Sequence, residues 1–209
     1  FLSDASNQAD TLLALTAESS DCALSIVEQP PLNGTKVAVW IYLQTKVQTQ
    51  MLHNGLFEVK HGPYRHLWGG SSFNRAANSE YQTRLLLNDY VMQLIEQGCK
   101  LAANCIRTWF FVQNVDVNYA GVVKARNEVF VTQNLTEKTH YISSTGIGGR
   151  HADPKVLVQM DTYAVGGIKP EQIHFLYAPT HLNPTYEYGV SFERGTYVDY
   201  GDRRQVFIS

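Results

Sequence analysis

The sequence predicts an α+β fold. A mixed sheet of five or six strands is expected to carry two helices packed on one face, after a short helical lead-in. Three observations predict it. Between residues 82 and 165 the apolar positions read helix, strand, helix, strand, each in its own period. Upstream, short β-branched and aromatic runs are separated by turn formers. At 44% hydrophobic and 17% charged, the 209-residue chain can bury a substantial core.

In chain order, residues 4–28 read as a helical or irregular lead-in, with Leu12, Leu13, Leu15, Ala23, Leu24 and Val27 apolar and Ser19, Ser20 and Asp21 breaking the run. Pro30, Pro31, Asn33 and Gly34 then punctuate the chain. KVAVWIYLQT, residues 36–45, is expected as the first strand, MLHNGLFEVK holds a second and YRHLWGG a third. His61-Gly62-Pro63 is the hairpin turn between the last two. Residues 70–80 are polar and loop-like. QTRLLLNDYVMQLIEQG follows, with Leu86, Leu87, Tyr90, Val91, Leu94 and Ile95 forming one apolar helical stripe that stops at Gly98. CIRTWFFVQ is a strand, rich in β-branched and aromatic residues. A second helix, 118–132, is expected to bury Tyr119, Val122, Val123, Val129 and Phe130. A Gly-rich loop leads to VLVQMDTYAV, the last strand of the unit, and a short strand is expected at Ile173–Tyr177. The division is a lead-in at 1–34, a main domain at 35–168 and a connector at 169–209. The final QVFIS reads as a strand, which either closes the sheet or leads into further sequence; Phe1 in place of methionine suggests a trimmed start.

Several function classes lose support. A net charge of −2 gives no global attraction to nucleic acid or to an anionic membrane. No apolar run approaches the length of a membrane span. Cys22, Cys99 and Cys105 are odd in number and contain no CxxC, which reads as reduced thiols in a cytoplasmic protein. The seven histidines show no zinc spacing, so no metal is expected. Gly146-x-Gly148-Gly149 is followed by no long helix, so it reads as a turn and no dinucleotide cofactor is expected. Arg107, inside an apolar strand, points either to solvent or into an interface or pocket.

The ordered set Gln82, Leu87-Asn88, Gly98, Phe111-Val112, Val123 to Phe130 and Val158 to Val165 resembles the RidA family, also called YjgF or endoribonuclease L-PSP. The phrases CIRTWFFVQNVD, THYISSTGIGG and NPTYEYGVSFERG are similar to the tandem chorismatase enzymes, and residues 188–209 look like the opening of a second such domain. The resemblance implies a RidA/YjgF-like (chorismate-mutase-like) fold, trimeric association through the open sheet face, and pockets for small carboxylates such as chorismate or an imino acid. It also implies an arginine after the second helix, whose place falls near Lys138, and a glutamate on the last strand, whose place falls at Gln159, with Asp161 on the same face. Lysine lacks the planar fork, and glutamine cannot act as a base.

Tail residues are the alternative. The resemblance places Tyr188 and Arg194 at a substrate pocket, with Arg203 or Arg204 reaching in from the strand. The acid and base of a chorismatase are then expected in sequence further on. The favoured reading is a non-catalytic, RidA-like N-terminal domain that scaffolds an oligomer. The alternatives are an active enamine or imine deaminase, a hydrolase, or a ribonuclease and translation inhibitor of the YjgF type.

Overall fold

The computed structural model describes residues 1–16 and 22–209. Ser19, Ser20 and Asp21, expected to break the lead-in, lie outside the described residues. Helix α1 (Ala5–Thr16) buries Ala5 and Ala9 beside Leu2. The central sheet contains β1 (Gln48–Met51), β2 (Phe57–His61), β3 (Tyr64–Phe73), β4 (Cys105–Val112), β5 (Ser143–Gly148) and β6 (Val158–Gly166), ordered β1-β2-β3-β6-β4-β5. Strands β1, β2, β3 and β6 pair antiparallel in succession, and β4 is antiparallel to β6 but parallel to β5. Parallel neighbours need a crossover. Helix α2 (Ser79–Glu96), followed by the single turn α3 (Leu101–Asn104), carries the chain from β3 past β6 to β4, and α4 (Val115–Thr132) carries it from β4 to β5. The two long helices pack on each other and on one face of the sheet.

Each helix is bounded by local chemistry. The Asn78 side chain accepts a hydrogen bond from the Tyr81 amide at 2.9 Å and caps α2. At its far end Gly98 takes φ +69°, and the Cys99 amide donates back to the Leu94 carbonyl at 2.8 Å. That left-handed closure favours glycine, which has no Cβ to clash, and tolerates asparagine. Asn134 (φ +59°) ends α4 the same way, with the Leu135 amide donating to the Phe130 carbonyl. Leu86, Leu87, Tyr90, Leu94, Val122, Val129 and Phe130 then meet Phe110, Val112, Val158 and Met160 in the main core.

The other sheet face, expected open for trimeric association, is covered in part by the tail. Strands β7 (Ile173–Leu176), β8 (Gly195–Asp199) and β9 (Arg204–Ile208) form a separate three-stranded antiparallel sheet. Its Val198 and Tyr200 bury against Ile106, Tyr163 and Val165, with Trp68 and Phe207 at the edge. The final strand therefore pairs with β8 and not with the central sheet.

Three expectations change and one open alternative is decided. Residues 36–45 are not a strand: among the described residues their one bridge is Val37 to Leu2, and Val39, Trp40, Ile41 and Leu43 are exposed. An apolar β-branched run favours extended backbone, but a strand also needs a ladder. Residues 70–73, read as loop, continue β3 through a bulge between Gly69 and Ser72. The lead-in presses so closely there that a Cβ on Gly70 would lie 2.5 Å from the Leu24 carbonyl oxygen. Gly146 and Gly148 belong to strand β5 and not to a turn. Finally, Arg107 does not face solvent. It is buried, donates to the hydroxyls of Ser209 (2.6 Å) and Thr145, and lies over the Trp109 ring at 5.0 Å. Burial pulls its guanidinium pKa down to about 10.

Candidate functional site

An open cleft of about 90 Å³ lies where the tail crosses the start of β5. Three sets of bonds build it. The Glu193 amide donates to the Ile142 carbonyl (3.0 Å), and the Glu193 carboxylate accepts from the Tyr141 amide (2.9 Å). Ser191 donates to the Asn127 side-chain oxygen on α4 (2.7 Å), whose amide nitrogen donates to the Gly189 carbonyl. The Thr185 hydroxyl donates to the Phe192 carbonyl (2.7 Å) from a 3-10 turn, Thr185–Tyr188, that ends at left-handed Gly189. The walls include His140, Tyr141, Tyr177, Tyr186, Glu193 and Arg194.

Arg194 is the cation of this cleft. It donates to the Tyr188 hydroxyl and to the Asn183 carbonyl (3.3 Å), and its guanidinium lies 5.3 Å from the Phe192 ring centre. Its Nε is buried with no hydrogen-bond partner among the described residues. A guanidinium held at one nitrogen by fixed oxygens, with a donor left over, can give a charge-assisted hydrogen bond to a carboxylate. Burial raises the Glu193 carboxyl above its usual range.

The other expected residues lie elsewhere. Arg203 contacts His61 Nδ1 at 3.1 Å, pairs with Asp202 and covers the Tyr200 ring. Arg204 pairs with Asp199 at 2.9 Å. Neither is part of the Arg194 cleft. Lys138 is exposed in a turn beside the cleft wall. Gln159 and Asp161 do share a face of β6. The Gln159 amide donates to the hydroxyls of Ser25 and Ser71 (both 3.2 Å), and the Asp161 carboxylate accepts from the Ser71 amide at 2.8 Å. Ser71 sits at φ +53° in the β3 bulge, which turns its amide toward Asp161. Burial pushes the Asp161 carboxyl up to about 6. Among the described residues no group of three or more His, Cys, Asp or Glu could hold a metal ion, and no helix is long and apolar enough to cross a membrane.

Residue reasoning missed His140, Tyr141, Phe192 and Glu193, which are far apart in sequence and meet where the tail bridges Ser143 at Glu193. It also missed Arg126, buried on α4 with its guanidinium 5.8 Å from the Phe192 ring centre. A signal for it existed, because Arg126 falls four residues after Val122 on the apolar stripe.

No family model matches the chain, and no curated protein matches it. Solved structures do. A chorismatase is 18% identical over 78% of this chain and 49% of its own, with a TM-score of 0.54. A YjgF/YER057c/UK114-family protein from Mycobacterium tuberculosis is 18% identical over 51% of this chain and 82% of its own (TM-score 0.41). The protein TdcF from E. coli, solved with bound serine, is 14% identical over 62% and 91% (TM-score 0.43). The chain spans about half the length of the chorismatase. At such identities the likeness speaks for architecture alone, and it establishes an α+β fold shared with the chorismatase.

Proposed function

We propose that this chain is the non-catalytic, RidA-like part of a chorismatase-like protein, scaffolding a trimer and holding small carboxylates in the Arg194 cleft. In this reading residues 1–34 are the lead-in, 35–168 the RidA-like unit and 169–209 a connector to a second such unit. One observation carries the binding role: Arg194 is fixed by Tyr188 and the Asn183 carbonyl, yet keeps a buried Nε donor without a partner. The non-catalytic role is supported by Lys138 standing in solvent and by Gln159 tied to two serines. Calorimetric titration with chorismate tests it. Arg194→Gln should weaken binding by roughly tenfold or more, as expected for loss of a charge-assisted hydrogen bond. No heat with the unaltered chain, or equal affinity in the variant, overturns the binding role. A strict monomer by light scattering at high concentration counts against the trimer.

A second reading, an imine hydrolase, is favoured by Asp161 alone, whose pKa of about 6 suits a general base near neutral pH. Ammonia release from a freshly generated 2-imino acid, abolished by Asp161→Asn, would support it.

A further inference from the structure

Arg126 is among the largest fully buried side chains of the molecule; no acidic group pairs with it among the described residues, and its three guanidinium nitrogens meet no partner at good hydrogen-bond geometry, the Tyr119 hydroxyl being a loose neighbour at most. Nearby Tyr119 favours the charged form, but burial outweighs it and pulls the pKa down. A buried cation without a paired anion weakens a fold, and an apolar side chain of similar volume would fill the same space without that cost. Core packing therefore does not account for an arginine here. Position does. The Phe192 ring lies against both Arg126 and Arg194, 5.8 and 5.3 Å from the two guanidinium carbons, and the same ring lines the cleft.

The backbone at Phe192 is pinned. Its carbonyl accepts from Thr185, its neighbour Ser191 is bonded to Asn127, and Glu193 is bonded to Ile142. The half-buried ring can thus move only by side-chain rotation, which is fast and leaves the chain trace in place. Cation–π contact with the ring gives Arg126 partial compensation while it is covered.

We infer that Arg126 is the second anion-binding group of this cleft, covered by Phe192, so that the site takes a small dicarboxylate with one carboxylate on Arg194 and the other on Arg126. The inference rests on the carboxylate reading of the cleft and adds the residue that holds the second carboxylate. Turning the ring exchanges a weak cation–π contact for a charge-assisted fork in a site of low polarity, where such a bond is strong. A monocarboxylate can use Arg194 alone and gains nothing from uncovering Arg126.

The test uses the full chain with succinate and butyrate as probes, titrated by nuclear magnetic resonance. Succinate should bind at least roughly tenfold tighter than butyrate. Arg126→Met should bring the ratio to about one without lowering Tm, because it removes an unpaired buried charge. Arg126→Lys, which keeps a charge without the fork, should retain part of the preference. Phe192→Ala should tighten succinate several-fold by removing the cover. Equal binding of the two acids, or an unchanged ratio in Arg126→Met, overturns the inference while leaving the Arg194 site standing if butyrate binding is lost in Arg194→Gln. Failure of both acids to bind overturns the carboxylate reading itself and this inference with it.

Discussion

One amide holds α2 to the approach of β6. Gln82 is fully buried; its nitrogen donates to the Ala76 and Lys155 carbonyls (both 2.9 Å) and its oxygen accepts from the Leu157 and Val158 amides (2.8 and 3.1 Å). All four hydrogen-bonding positions of the side chain are therefore used on backbone groups, most of them partly buried. Gln82→Leu keeps most of the volume and orphans those groups, so it should cost about 2–4 kcal/mol in urea unfolding. A loss below about 1 kcal/mol would show that water replaces the amide. In the sequence this residue is visible as the opening of a helix, but its partners are not, because two of the four lie in the segment before β6. Arg126 shows the opposite kind of blindness: its stripe position is plain, yet the expectation that charge faces water hid it.

Elements were legible where local period and local stops agree. Helix α2 shows its stripe, its Asn78 cap and its Gly98 stop in adjacent residues, and β4 and β6 are apolar runs bounded by turn formers. Strand β5 was not legible, since Ser143, Ser144 and Gly146 carry little strand propensity and gain their ladder only from β4 in parallel. Residues 36–45 erred in the other direction, with strong propensity and a single bridge among the described residues. The cleft inherits this problem, because its walls come from the segment leading into β5 and from a tail distant in sequence that docks beside it. Gly146 explains why β5 is glycine-rich: a Cβ there would lie 2.4 Å from the Tyr119 ring of α4. Gly146→Ala should force that ring and helix outward and cost about 1–3 kcal/mol, with chemical-shift changes running along α4. Changes confined to β5, with stability unaltered, would contradict the packing role.

Across the whole molecule, two buried groups set opposing pH slopes. His66, buried and near Arg203 and His61, has its pKa lowered to about 4, so the folded state stays neutral where the unfolded chain takes up a proton. Its Nδ1 lies 2.7 Å from the Tyr163 hydroxyl, which contacts Tyr200 and Gln205. Stability is therefore lost as pH falls from about 6.5 to 4. Asp161 is the reverse: its folded pKa of about 6 lies above the unfolded value, so the folded state binds the proton first and stability is gained over much the same descent. Each effect is at most about 3 kcal/mol; the buried Glu193 carboxyl adds to the Asp161 side, and His151, whose burial also lowers its pKa, adds to the His66 side. The two slopes nearly cancel, so the unaltered chain should keep an almost constant Tm between pH 6.5 and 4. Below that range, the paired carboxylates of Asp153 and Asp199, held low by backbone amides and by Arg75 and Arg204, lose their partners and the fold weakens. Asp161→Asn should lose stability on acidification and His66→Phe should gain it, each relative to the unaltered chain. Thermal melts of the three proteins at half-unit pH steps decide it, and three parallel curves would mean that neither group titrates in the folded state as its burial demands.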